Sequence, residues 1–167
     1  MVTKGTAGEV VVRDDLDRRD YLARLGRTAE RHRWRCLAYC LMETHVHLVV
    51  TTPEPNLGRG MHWLSGTYAQ KFNARHGRSG HLFGDRFFSR VVVTNSHLVA
   101  AIAYVLANPV RAGLVERPEH WPWSSFAATV GEHAPAYLDV AGVLELFDPR
   151  PHVARVRVAE AVTNSAH

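Results

Sequence analysis

Residues 34–52 constrain the fold more than any other stretch. Trp34 to Met42 and His45 to Thr52 are two runs rich in apolar and β-branched residues, with only Glu43-Thr44 between them. Runs of this composition joined across so short a break predict an antiparallel hairpin. Side chains alternate along a strand, so His45 and His47 fall on one face and Val46, Leu48 and Val50 on the other. The second set is apolar and suits a core. The histidines, on the opposite face, need not be core residues at all.

The flanking segments read as helices. From Asp14 to about Arg33, Leu22, Leu25 and Ala29 recur at helical spacing, with Asp14 or Asp15 as N-cap. After Pro53 and Pro55, Asn56 can cap a second helix carrying Met61, Leu64, Tyr68 and Phe72 on one stripe, and Gly77 suits its C-terminal end. A loop over residues 78–84 leads to an expected strand from Arg86 to Val93, after which Thr94 or Asn95 opens a third helix that Pro109 closes near Asn108. Beyond Gly113 come Trp121-Pro122-Trp123, a short helix from Asp139 to Phe147 and a basic tail. The order helix, strand, strand, helix, strand, helix predicts an α+β fold, one antiparallel sheet with helices on one face.

At 167 residues the chain has the length of one domain, and 46% apolar with 22% charged residues is the balance of a globular protein. No apolar run approaches the ~18 residues a membrane span needs. Nothing near Met1 reads as a signal peptide, so the expected location is the cytoplasm, with Cys36 and Cys40 reduced. The net charge of +4 excludes little by itself. Its distribution says more: Arg59, Lys71, Arg75, Arg78, Arg86 and Arg90 face only Asp85 within residues 59–90, a local surplus of five. Trp63, Tyr68, Phe72, Phe83, Phe87 and Phe88 are interleaved with them. Basic and aromatic residues mixed in this way point to nucleic acid.

Two imidazoles on one strand face are a common start for a divalent metal site, which needs a further ligand from elsewhere. The third helix has a candidate. At about 100° per residue, Leu98, Ile102 and Leu106 form its apolar stripe, while His97, Tyr104 and Asn108 share the opposite side. Most helical tyrosines are half-buried structural residues, but Tyr104 and Asn108 are surface neighbours, pairing a possible oxygen nucleophile with an amide-oxygen ligand. A phenolate that attacks phosphorus beside a metal ion conserves the energy of a phosphodiester bond in a covalent link. His62, His76, His81 and His97 lack ligand spacing, and His81 is the strongest of them.

Three blocks, Met42-Glu43-Thr44-His45-Val46-His47-Leu48, Gly80-His81-Leu82-Phe83-Gly84-Asp85-Arg86, and Tyr104 through Asn108-Pro109-Val110-Arg111-Ala112-Gly113, resemble the signature of single-tyrosine, His-hydrophobic-His transposases. The REP-associated tyrosine transposases are the most similar subgroup. The resemblance implies a ferredoxin-like, RRM-like sheet with the histidine strand central, over residues 1–125, followed by a C-terminal extension over residues 126–167. It implies nicking and rejoining of single-stranded DNA near hairpins, by a monomer or a homodimer. Tyr104 becomes the nucleophile, His45, His47 and Asn108 the ligands of a magnesium or manganese ion, and Lys71, Arg75, Arg78, His81, Arg86 and Arg90 the border of the DNA path. Val2-Thr3-Lys4-Gly5 matches only the end of the family's first strand, so a truncated strand is expected. Glu43-Thr44 stands where the family commonly has Pro-Asn, and Gly84-Asp85 where it has Gln-Gly. Two alternatives stay open: a DNA-binding remnant that no longer cuts, and a metal-dependent hydrolase in which Tyr104 is structural.

Overall fold

The computed structural model describes residues 1–84 and 87–166. The hairpin is present as β2 (Arg35–Leu41) and β3 (His45–Thr51). A three-residue strand, β1 (Val2–Lys4), pairs antiparallel with the other side of β3, so the order is β1-β3-β2 and the histidine strand is central. The register sets Lys4 opposite His45 and Val2 opposite His47. An irregularity between Cys36 and Ala38 swaps the faces at the start of β2.

Helix α1 (Asp15–His32) begins where the Asp14 carboxylate accepts the Asp17 N–H at 3.0 Å. It packs beside α2 (Leu57–His76) on the Val46 and Leu48 face, where Tyr21, Leu25, Leu64, Tyr68 and Phe72 fill one core. Asn56 occupies the N-cap position of α2 without capping it. Its side chain turns inward instead, accepting from the Trp34 indole at 2.8 Å and donating to the His32 carbonyl at 3.0 Å. Those buried groups would otherwise lack partners, and satisfying them outweighs one helix-end N–H that water can reach.

The expectation of helices on one face is corrected. Helix α3 (Asn95–Arg111) lies across the opposite face, and after the short α4 (Phe126–Val130) come α5 (Val140–Phe147) and α6 (Pro151–Ala166), which pack against it. Leu37, Ala38, Cys40 and Val49 make that second face apolar, so a one-sided layer would leave it in water. The basic tail is thus a helix, held by Ala154, Val158 and Val162 at four-residue spacing. Pro109 does not end α3 at Asn108. It forfeits only its own N–H, and Ala112 and Gly113 close a final turn on the Asn108 and Val110 carbonyls, each at 2.9 Å.

The strand expected from Arg86 to Val93 is also corrected. Arg86 itself lies outside the described residues. Over residues 87–93 there is no regular strand, only a bridge from Phe88 to Val2, with another from Phe83 to Gly5. A three-residue β1 has too short an edge to pair more, and Val91 is left 85% exposed. The outer edge of β2 is closed by Trp121 to Ser125: Leu41 N–H donates to Trp123 at 2.9 Å, the Trp121 indole to the Leu41 carbonyl at 3.1 Å, and Tyr39 exchanges bonds with Ser125. The Trp-Pro-Trp segment therefore packs, with the Arg18 guanidinium 5.4 Å from the Trp123 ring centroid. Cys36 and Cys40 are free thiols, both buried. No helix among the described residues is long and apolar enough to cross a membrane.

Gly60 shows how closely α2 meets the hairpin, since a Cβ there would collide with the Trp34 ring. Gly60→Ala is expected to destabilise the protein by about 1–3 kcal/mol despite alanine's better helix propensity, measured by urea unfolding.

Candidate active site

Alternation along β3 aims His45 and His47 at α3, and the α3 stripe turns Tyr104 back toward them. The two imidazole centroids are 4.8 Å apart, and the Tyr104 ring centroid lies 6.0 Å from that of His47. Three of the four groups singled out from sequence, His45, His47 and Tyr104, therefore meet. Tyr104 is 45% exposed, its phenol open to solvent, whereas His47 is only 5% exposed. The reading that neither histidine need be a core residue is corrected for His47, because α3 covers its side of the sheet.

The His45 ring is oriented by a 3.0 Å contact between Nδ1 and the Thr44 hydroxyl, which leaves its Nε2 available. His47 Nε2 is buried without a hydrogen-bond partner among the described residues. Burial, then the His45 ring, the amino terminus and Lys4, push His47 down to about 4. His45 is lowered by burial and by Lys4. Both rings are thus held neutral with a lone pair to offer. Asn108, 8% exposed, donates its amide N–H to the Tyr104 carbonyl at 2.7 Å, so its carbonyl oxygen is the atom left to act as a ligand.

Two cations flank this cluster that the sequence reading did not single out. Lys4 stands cross-strand from His45, a placement that depends on the β1 register. The Arg111 guanidinium lies 5.4 Å from the Tyr104 ring centroid and donates to the Ser165 carbonyl at 2.7 Å. Arg111 was findable, since residues seven apart return to the same helix face.

The border residues divide. Lys71, His81 and Arg90 are exposed, and Arg86 lies outside the described residues. Arg75 is bound to Asp14, at 2.6 Å, and to Asp17, and holds the Asp14 carboxyl well below its ordinary range. Arg78 is paired with Glu9. The charges of Arg75 and Arg78 are therefore neutralised within the fold, and the local surplus of five overstates what faces solvent.

The profile of the family described as "Transposase IS200 like" matches residues 8–108, well over half of the chain. The chain belongs to the IS200-like transposase family. It is 26% identical over 110 residues to a Haemophilus influenzae protein bearing the name REP-associated tyrosine transposase, a match spanning 59% of this chain and 62% of that protein. The solved structure of a REP-associated tyrosine transposase bound to a REP hairpin superposes with a TM-score of 0.65 at 16% identity, over 83% of this chain and 84% of that one. At that identity the superposition establishes that this IS200-like chain shares the fold.

A buried neutral histidine leaves a thermodynamic trace. Unfolded, His47 binds a proton near pH 6.5; folded, only near 4. Between those values the unfolded chain holds more protons, so stability falls as pH drops from about 6.5 to about 4. With chelator present, wild type is expected to lose about 2 kcal/mol across that window and His47→Gln much less, as measured by urea titrations at successive pH values.

Proposed function

We propose that this chain is a metal-dependent transposase that nicks and rejoins single-stranded DNA near hairpins through a 5′-phosphotyrosine link. The observation that carries the reading is the convergence of the His45, His47 and Tyr104 rings on one side of the sheet. Chemistry belongs to residues 1–125, with residues 126–167 as a supporting extension. We read the sheet as ferredoxin-like, or RRM-like. The bridges from Phe88 to Val2 of β1 and from Phe83 to Gly5 just beyond it support this, since both lie on the free side of β1, where a fourth strand would pair.

The donor set fits a divalent cation. His47 Nε2 has no hydrogen-bond partner among the described residues and offers a lone pair, His45 presents a second, and Asn108 a neutral oxygen. Among the described residues no group of three or more His, Cys, Asp or Glu is gathered for a metal, so a third protein ligand falls to a residue such as Asn108. Magnesium or manganese bound by His45, His47 and Asn108 would supply Lewis-acid polarisation of the scissile phosphate. Tyr104 would form the Oη–P bond as the P–O3′ bond breaks, the phenolic proton going to solvent and the leaving 3′-oxygen taking one up. In the reverse direction a free 3′-hydroxyl attacks phosphorus and Tyr104 leaves, which rejoins DNA without ATP. Lys4 and Arg111 would hold the phosphate charge on either side of the phenol. Lys71, His81 and Arg90, with Arg86, would border the path of the strand, in a cytoplasmic enzyme acting as a monomer or a homodimer.

Wild type is expected to form a denaturant-stable adduct with hairpin DNA bearing unpaired flanks in manganese, and Tyr104→Phe none, read on a denaturing gel. Equal adduct from both proteins refutes the assignment. Binding without adduct by wild type identifies a remnant that no longer cuts.

A further inference from the structure

On the other side of β1 from the histidines, α2, residues 80–84 and Phe87 line a cleft of about 730 Å³. Its walls are mostly apolar, among them Met61, Ala69, Leu82, Phe83 and Phe87. Two polar atoms at this cleft are buried with no hydrogen-bond partner among the described residues: Thr3 Oγ1, on a residue 3% exposed, and Asn73 Oδ1. Buried polar groups are rarely left unpaired unless something outside the protein satisfies them.

The glycines of α2 point the same way. Gly60 is explained by the Trp34 ring. Gly66, in mid-helix, is not: a Cβ there would meet nothing within 4 Å, yet glycine weakens a helix interior relative to alanine. It lines the cleft, as does Gly58, where a Cβ would also meet open space. A bare backbone facing an open slot suits a ligand that approaches closely.

We propose that this cleft binds an unpaired nucleobase of the DNA strand, a proposal that rests on the reading of the substrate as single-stranded DNA. Its mostly apolar walls suit the faces of a base better than a phosphate. A base has apolar faces, which Phe83 and Phe87 can stack, and a polar edge, which Thr3 Oγ1 and Asn73 Oδ1 can meet. Thr3 faces this cleft, and its neighbour Lys4 faces the histidines across β1. A nucleotide held here would lie across the β1 edge from the histidines, on the opposite face of the sheet, and would help to position the strand.

The test compares three full-length proteins, all in a Tyr104→Phe background to prevent turnover: the parent, Gly66→Leu and Thr3→Val. The probe is a fluorescent DNA hairpin with unpaired flanks, whose flanking nucleotides are replaced one at a time by abasic sites, and binding is read by anisotropy. At one or two positions the abasic site should weaken the parent about tenfold. Gly66→Leu, which fills the slot, should bind the intact probe about tenfold more weakly and lose nothing further at those positions. Thr3→Val should melt higher, having lost an unpaired buried hydroxyl, yet bind about fivefold more weakly. If both variants match the parent on the intact probe, or the abasic penalty persists in full in Gly66→Leu, the cleft is not a base site. Should Gly66→Leu fail to melt cooperatively, Thr3→Val alone decides. A parent that does not bind the hairpin at all overturns the DNA reading and this proposal with it, whereas a binding parent with unaffected variants overturns this proposal only.

Discussion

Alternation along β3 is the constraint on which the other features depend. Val46 and Leu48 are buried against α1 and α2, and the residues between and beside them, His45, His47 and Val49, face α3. One strand thus anchors two cores and presents the candidate ligands. A register slip of one residue would drive both imidazoles into the Tyr21 and Tyr68 core and expose the valine and leucine. Pairing on both sides prevents it: Cys40 and Val2 both lie opposite His47. The central position is what holds the two imidazoles of so short a segment rigidly in place.

That rigidity has a cost. An imidazole nitrogen left buried and unpaired disfavours the fold by about 1–3 kcal/mol, and the clustered positive charges of Lys4, Arg111 and the amino terminus add to it. The apolar burial of Ile102, Leu106, Val49 and their neighbours offsets it. Burial first, and then the charge of Lys4 beside both rings, hold the histidine pKa values down, so each imidazole keeps a lone pair.

Local signals were legible, and pairings between distant segments were not. The hairpin, three of the helices and α5 follow from composition and spacing. The three rings of the site could be read too, because each is fixed by periodicity within its own element. What failed depended on partners far along the chain. Residues 87–93 have the composition of a strand but little of β1 to pair with. The tail carries apolar residues at helical spacing, but its basic character drew attention from Ala154, Val158 and Val162. Arg75 and Arg78 looked free because Asp14, Asp17 and Glu9 lie some sixty residues earlier in sequence. Lys4 gains its place beside His45 only through a strand register that no local pattern encodes.

Helix α3, which carries Tyr104, is held from two directions. Its inner stripe, Ile102 and Leu106, joins the sheet to Val143, Leu144, Val158 and Val162, so residues on both sides of position 125 share one core. Arg111 extends the connection to Tyr104, since its guanidinium lies over the Tyr104 ring while donating to the Ser165 carbonyl near the end of α6. Sheet contacts alone would let α3 rock about its line of contact with β2 and β3, and a small rotation moves a phenol hydroxyl at the end of its side chain by ångströms. The in-line attack proposed for Tyr104 would tolerate no such error. The α5–α6 extension is therefore part of what aims Tyr104, although none of its residues is drawn near the histidines by sequence.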